Sequence, residues 1–379
     1  MTRPAGSYIS VATGDETVQA FVPALLPVAN PPIAAHLARL GDAEAAVGHL
    51  DLAARMVPSI DWFLYGFVRK EAVLTSQIEG TQATLSDLLQ FEAKEDETPT
   101  PDVQEVCNYV EALTYARAQL ASPKGLPLSM RLLNESHKRL MKGVRGASKA
   151  PGQVRKTQNW IGGSRPGNAA FVPPPPGHLP ELLDNLEKYL HADDSLPPLV
   201  RAGIAHVQFE TIHPYLDGNG RMGRLLIALL LEHWKVLRHP LLYLSLFFRR
   251  HQSEYYRRLS RVRSDGDWEG WLDFFLDGVA TVGREGVSLA TALFAQISAD
   301  RGKVLEESTA SVAALRLFEL LPANPIVSIN AVIRLLETTK PTAGKAVDTL
   351  IAAGVLEETT GRLRGREFAY SAYLQKLSE

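Results

Sequence analysis

The stretch His213-Pro-Tyr-Leu-Asp-Gly-Asn-Gly-Arg-Met-Gly-Arg224 concentrates the chain's chemistry into twelve residues. It sets a base, a carboxylate, a glycine-rich loop and two arginines directly before the apolar run Leu225–Leu231. That run predicts a buried helix continuing Arg221–Arg224, with Asp217–Gly220 ahead of its N-terminus. A helix N-terminus carries unpaired N–H groups and partial positive charge, so it attracts anions. Gly218 and Gly220 tolerate positive φ and admit a phosphate close to the backbone. Asn219 can donate its amide to an oxygen. Arg221 and Arg224 share one helix face, and two guanidinium forks suit phosphate oxygens better than lysines. Asp217 is a hard oxygen ligand, suited to a Mg²⁺ that phosphates help to hold. His213 can be neutral near pH 7 and accept a proton from a hydroxyl. Taken singly, Asp-Gly-Asn-Gly reads as a turn and His-Pro as a helix stop. A calcium loop counted from Asp217 needs a glutamate at its twelfth position, where Ala228 stands.

As a whole, these residues resemble the signature of the Fic family, H-x-F-x-D/E-G-N-G-R-x-x-R, with Tyr215 where Phe is usual. The resemblance implies a protein adenylyltransferase, which moves AMP from ATP to a Ser, Thr or Tyr hydroxyl of a protein and releases pyrophosphate. On matching positions it implies His213 as general base and Asp217 as Mg²⁺ ligand. Gly218, Asn219 and Gly220 would form the anion hole, Arg221 would bind the inner phosphates and Arg224 the γ-phosphate. Upstream, His206-Val-Gln-Phe-Glu-Thr-Ile212 resembles the helix that leads into this motif, and Ile204, Val207 and Ile212 could line one side of it. His206 and Glu210, four apart, read as support for the loop.

Three more segments extend the resemblance. Thr75-Ser-Gln-Ile-Glu-Gly80 is similar to the family's inhibitory motif S/T-x-x-x-E-G/N. The implied role of Glu79 is to pair with Arg224, taking the place of the γ-phosphate. On its residues alone, Glu79 is a surface carboxylate at a helix end with Gly80 as the residue beyond it. Arg155–Gly163 and Ala170–Pro176 flank a centre rich in glycine and turn residues, which predicts a β-hairpin or an extended flap. The family docks its target on such a flap by strand addition. Tyr255 and Tyr256 resemble the walls of an adenine pocket, with Tyr256 assigned to ATP, although core packing is an equal reading. Arg249, Arg250, Arg257, Arg258, Arg261 and Arg263 read as a solvated basic face.

The elements behind these segments are mainly helical. Helices are expected over 32–55, 60–80, 83–92, 102–121, 129–142, 179–192, 197–211, from 221, 250–262 and 268–281. Residues 1–30 look extended and loop-rich. A connector helix over 285–306 should lead to helices at Ser311–Leu321, Ile329–Glu337 and Thr342–Ala353. Strands at Val355–Thr359 and Glu367–Ser371 would flank the basic segment 360–366. That order spells a winged helix-turn-helix, with Lys340, Thr342 and Lys345 near the start of its reading helix. The expected fold is thus a mainly α Fic-type core with a small β-hairpin flap, followed by a winged helix-turn-helix. The expected division is 1–100 with the inhibitory motif, 101–284 as catalytic core, and 285–379 as connector and winged helix.

At 379 residues the chain can bury a sizeable core, and a net charge of −2 offers no polycation for nucleic acid. Over 310–379, eight Lys or Arg stand against seven Asp or Glu, a weak excess for a DNA binder. The single Cys107 excludes an internal disulfide and fits a reducing compartment. Met1–Val18 lacks the apolar run of a signal peptide, and no apolar run is long enough to span a bilayer. A cytoplasmic, self-inhibited enzyme using ATP and Mg²⁺ is expected, with a target protein or the chain itself as acceptor and with homodimerisation open. The alternatives are a DNA-binding regulator whose core senses nucleotide, and an enzyme that mainly removes AMP.

Overall fold

The computed structural model describes residues 5–28, 33–57, 59–94, 98–193, 195–361 and 365–378. Residues 29 and 30 of the loop-rich start, residue 32 of the first expected helix and residues 362–364 of the basic segment lie outside them. The chain opens with an antiparallel hairpin, β1 (Gly6–Thr13) and β2 (Glu16–Pro23). Loop-rich chain is the expectation here. The two-residue Gly14-Asp15 turn, with Gly14 at φ 61°, closes a hairpin instead. Gly-Asp between two such runs is a recognised hairpin signal, and Val18 and Ala20 bury their side chains against Val172.

The helices are α1 (Ile33–Arg55), α2 (Asp61–Ile78), α3 (Leu85–Ala93), α4 (Pro101–Ala121), α5 (Met130–Leu140), α6 (Leu179–His191), α7 (Pro198–Ile212), α8 (Asn219–His233), α9 (Ser245–Arg250), α10 (Gln252–Asp265) and α11 (Trp268–Glu306). Side-chain caps set several starts. Thr84, Thr100, Ser129 and Asp267 each accept a backbone N–H from the first turn that follows, the satisfaction an exposed helix end requires. At the centre lies α7, buried from Leu199 through Ile212. Even its polar side chains Arg201, His206, Gln208 and Glu210 are buried. Its Gly203 carbonyl accepts the Trp271 indole N–H at 2.9 Å.

Helix α11 corrects one expectation. Separate helices are expected over 268–281 and 285–306, yet one helix runs through Gly283 and Gly286 for 39 residues without interruption, roughly 58 Å at 1.5 Å per residue. The glycines serve packing. A Cβ on Gly283 or Gly286 would come within 3.0 Å of Ala46 or Leu50 of α1, so their absence lets the two helices approach closely.

Beyond α11 come α12 (Val312–Leu320), β3 (Ile326–Ser328), α13 (Ile329–Leu336), α14 (Lys340–Ala352), β4 (Glu357–Glu358), β5 (Glu367–Ala369) and α15 (Ser371–Ser378). The strands form one antiparallel sheet in the order β3-β5-β4. The two expected strands are shorter than read, and β3 joins them unannounced. Helix α15 docks on α2. Tyr373 donates its hydroxyl to the Trp62 carbonyl at 2.7 Å, Lys70 donates to the Leu377 carbonyl at 3.2 Å, and Leu377 fills the space that Gly66 leaves open. No helix among the described residues is long and apolar enough to cross a membrane.

The flap differs from a full hairpin. Its arms meet in one bridge, with Ile161 and Phe171 exchanging N–H···O bonds of 2.8 and 3.1 Å. Pro173–Pro176 on the returning arm have no N–H to extend a ladder. Support comes from β2, whose Phe21 N–H donates to the Val172 carbonyl at 2.9 Å. Glu16 also accepts from Arg165 and from the Gly167 N–H.

Candidate active site

Helix α7 ends at His213, which takes left-handed backbone angles, φ 51° and ψ 62°. Such angles are uncommon for a side chain with a Cβ and need support from their surroundings. Arg155 supplies it. Its buried guanidinium donates to the carbonyls of His213 (2.9 Å) and Pro174 (2.6 Å), and its N–H donates to Pro214 (2.9 Å). The base of the flap and the turn at His213 are therefore one hydrogen-bonded unit.

After the turn, Asn219 closes the loop on itself. Its side-chain oxygen accepts the Tyr215 N–H and its amide donates to the Tyr215 carbonyl, both at 2.8 Å. The side chain is thus committed to the loop, which leaves Asn219 only its backbone N–H to offer an anion. The first intrahelical bond of α8 runs from Met222 N to Gly218 O, so the N–H groups of Asn219, Gly220 and Arg221 have no intrahelical acceptor. Gly218 stands at φ 77°, and a Cβ there would meet the Met141 sulfur at 2.7 Å. Both facts require glycine.

Tyr215 is fully buried. Its hydroxyl donates to Asn134 at 2.9 Å, and its ring stacks on His137 at 3.8 Å between centroids. His137 accepts the Gly152 N–H on Nδ1 at 2.8 Å and donates from Nε2 to the Asp217 carbonyl at 2.9 Å. Burial lowers its pKa to about 4, which keeps that neutral tautomer at pH 7. The Asp217 carboxylate accepts the Gly218 N–H at 2.7 Å, and its other oxygen lies against the Cα of Gly146.

Both motif arginines are buried and paired. Arg224 donates to Glu79 at 2.5 Å, to the Thr75 hydroxyl at 2.7 Å and to the Thr75 carbonyl at 3.2 Å. Helix α2 ends at Ile78, so Glu79 reaches Arg224 from the turn just beyond it. Burial pushes the Glu79 carboxyl up, but the Arg224 guanidinium outweighs this and holds it below its ordinary range. A Cβ on Gly220 would collide with the Glu79 carboxylate. That carboxylate therefore lies over the N-terminus of α8 while keeping 31% of its side-chain surface open. Arg221 pairs more loosely with Glu105 of α4, at 3.4 Å, and Glu105 also accepts the Thr81 hydroxyl at 2.8 Å.

Glu79, His213, Gly220 and Arg224 line a cavity of about 560 Å³ together with Phe171 and Tyr256, whereas Asp217, Gly218, Asn219 and Arg221 are not among its lining residues. A larger cavity of about 860 Å³ opens between α2, α4 and α11 and contains none of the motif residues. His213 is half-buried, with Nδ1 directed at the Glu210 carbonyl without a well-formed hydrogen bond. Burial, then the Arg155 charge, lower its pKa to about 3, so it is neutral at pH 7. Of the two tyrosines, Tyr256 is open to the cavity, 45% exposed, while Tyr255 is buried and bonds His206 at 2.8 Å. His206 also bonds the Gly223 carbonyl at 3.1 Å. It and Glu210 pack on Gly223, where a Cβ would strike the Glu210 carboxyl. Burial raises the pKa of Glu210 to about 7. Arg263 departs from the expected solvated face. It reaches into the cavity and lies over the Phe171 ring at 3.8 Å.

Spacing within the motif does not reveal Arg155, His137, Glu105 or Arg263, because each reaches the site from another element. Arg155 stands at the start of the flap segment, the one place where the sequence pointed towards it.

Residues 37–118 match a family model described as Fic/DOC family N-terminal, and residues 127–231 match one described as Fic/DOC family. The protein adenylyltransferases Fic of Drosophila grimshawi and Culex quinquefasciatus are each 29% identical over 205 residues, 53% of this chain. The chain spans about two fifths of the length of these curated relatives, 39% and 38%. A Fic family protein from Desulfovibrio desulfuricans shares the fold over 92% of this chain and 98% of its own, with TM-score 0.57 and 22% identity. Fic-1 of C. elegans aligns over 70% of this chain and 75% of its own, with TM-score 0.51 and 22% identity.

Proposed function

With residues 37–118 and 127–231 placing the chain in the Fic/DOC family, we propose that it is a self-inhibited protein adenylyltransferase. It takes ATP as substrate and Mg²⁺ as cofactor, and moves AMP onto a hydroxyl of a target protein or of itself. The observation that carries this reading is the placement of Glu79 on Arg224 across the N-terminus of α8, inside the cavity that holds His213. A neutral His213 can accept the hydroxyl proton. The N–H groups of Gly220 and its neighbours suit the phosphates, and Tyr256 offers a face to the base. Asp217 provides one hard carboxylate at the same helix end, which fits Mg²⁺ because that ion takes few protein ligands beside substrate phosphates. When bound, Mg²⁺ would neutralise phosphate charge there.

Glu79 occupies the guanidinium that a γ-phosphate would need, and its charge repels that phosphate. Glu79→Gly should therefore raise transfer of label from α-labelled ATP, with Mg²⁺ present, to the chain or to lysate proteins. His213→Ala in the same background should lower it by about 10²–10⁴-fold. Unchanged labelling in Glu79→Gly at saturating ATP would sink the inhibitory role. One feature favours a second reading, removal of AMP: the open part of the Glu79 carboxylate faces the same cavity as His213 and could orient a water. Release of AMP from a labelled target, lost in Glu79→Gly, would select it. We read α12–α14 with β3–β5 as a winged helix-turn-helix. Lys340 and Lys345 are exposed on α14, and a target protein is the partner this nearly neutral module suits better than DNA.

A further inference from the structure

We infer that Arg145 is a third phosphate-binding guanidinium of this site, specific for the phosphates beyond the first. The inference rests on the adenylyltransferase reading and extends it to how the triphosphate tail is held. Arg145 belongs to the loop after α5. Two tight turns shape that loop, Ala147 N to Val144 O at 2.9 Å and Lys149 N to Gly146 O at 2.8 Å. The next residue, Gly146, stands at φ 87° with its Cα against the Asp217 carboxylate. The loop thus carries the Arg145 side chain past the carboxylate assigned to the metal.

The guanidinium reaches the two residues whose carboxylates pair with the α8 arginines. It donates to the Glu79 carbonyl at 3.2 Å and stands 3.9 Å from the Glu105 carboxylate. Arg221 and Arg224 are buried and fixed, whereas Arg145 is 68% exposed. A bond to an exposed carbonyl and a long ion pair cost little to break. A polyphosphate at the helix end would present charged oxygens to the same guanidinium, and charge-assisted bonds are stronger than those it leaves. In the resting state all three arginines rest on two carboxylate-bearing residues, Glu79 and Glu105. The one on the rim is free to change partners.

The test is titration of Mg·ATP, pyrophosphate and AMP into the full chain carrying Glu79→Gly and His213→Ala, which binds without turning over. Adding Arg145→Ala should weaken Mg·ATP and pyrophosphate by about tenfold, the loss of one charge-assisted bond. AMP should bind within about twofold, because its single phosphate stays with the α8 amides. Arg145→Lys should fall between, and Lys149→Ala, on the same turn, should change nothing. Equal loss for all three ligands, no loss, or the same loss from Lys149→Ala would overturn the inference. A parent chain that binds no Mg·ATP would overturn it and the proposed function together. Binding that depends on Arg145, with no transfer by the Glu79→Gly protein, would sink only the transferase reading.

Discussion

His137 holds the loop at Asp217 through two hydrogen bonds and one ring stack, and each can be separated by substitution. His137→Phe keeps an aromatic face for Tyr215. It leaves the Gly152 N–H and the Asp217 carbonyl without partners. An unsatisfied buried group costs about 1–3 kcal/mol, so urea unfolding of His137→Phe should show at least that loss. If Asp217 holds the metal, the variant should also need more Mg²⁺ for transfer in the Glu79→Gly background, with little change in the KM for the target. A variant that unfolds like the parent chain would show that the two bonds contribute nothing. At this scale the sequence is legible where chemistry is contiguous. His213 to Arg224 read directly as an anion site because helix-start, glycine and arginine signals coincide within twelve positions. His137 and Glu105 were not legible, and Arg155 only as the start of the flap segment, since a histidine in an amphipathic helix has many uses and only tertiary contact selects one.

At the scale of elements, glycine had two meanings that sequence reading could not separate. Gly286 and Gly302 both lie within α11. Gly286 abuts Leu50 of α1, whereas nothing lies within 4 Å of a Cβ on Gly302. Gly302→Ala should stabilise the chain by up to about 1 kcal/mol, through helix propensity alone. Gly286→Leu should destabilise by about 1–3 kcal/mol, because it forces α1 away. Thermal unfolding of the two variants checks this, and shifts of the same sign would refute the packing role. Most of the longer helices were readable from periodicity, although α11 was divided in two. The flap was overestimated because its prolines deny it a ladder. The N-terminal hairpin was missed although Gly14-Asp15 announces it.

For the molecule as a whole, buried titratable groups set how stability varies with pH. Burial lowers His206 and His213 to about 3 and His137 to about 4, against an ordinary 6.5. Unfolding therefore takes up protons below pH 6.5, and these residues lose stability as pH falls. Glu71 and Glu210 work in the opposite sense. Burial raises both to about 7 from 4.5, so the folded chain keeps two protons that the unfolded chain releases, and stability gains as pH falls from 7 to 4.5. Between pH 6.5 and 4.5 three histidines outweigh two glutamates by one proton, a loss of about 1.4 kcal/mol per pH unit at most. Below 4.5 the histidines act alone, joined by Glu79, whose carboxyl is held low. Denaturation midpoints should fall gently from pH 6.5 to 4.5, with the slope of one proton, and steeply towards pH 3. A decline as steep above 4.5 as below it would contradict this balance.

Helix α2 has Glu79 beyond its far end and the ledge for α15 along its first half, at Trp62, Gly66 and Lys70. In genetic terms, such a helix joins two distant stretches of the gene into one unit of inheritance. Lesions that relieve the Glu79 contact directly should cluster at positions 75–80. A second cluster should appear at Tyr373 and Leu377, some three hundred codons downstream, where loss of the docked side chain unseats the same helix. Pairs drawn one from each cluster should be no stronger than either alone, because both release a single part.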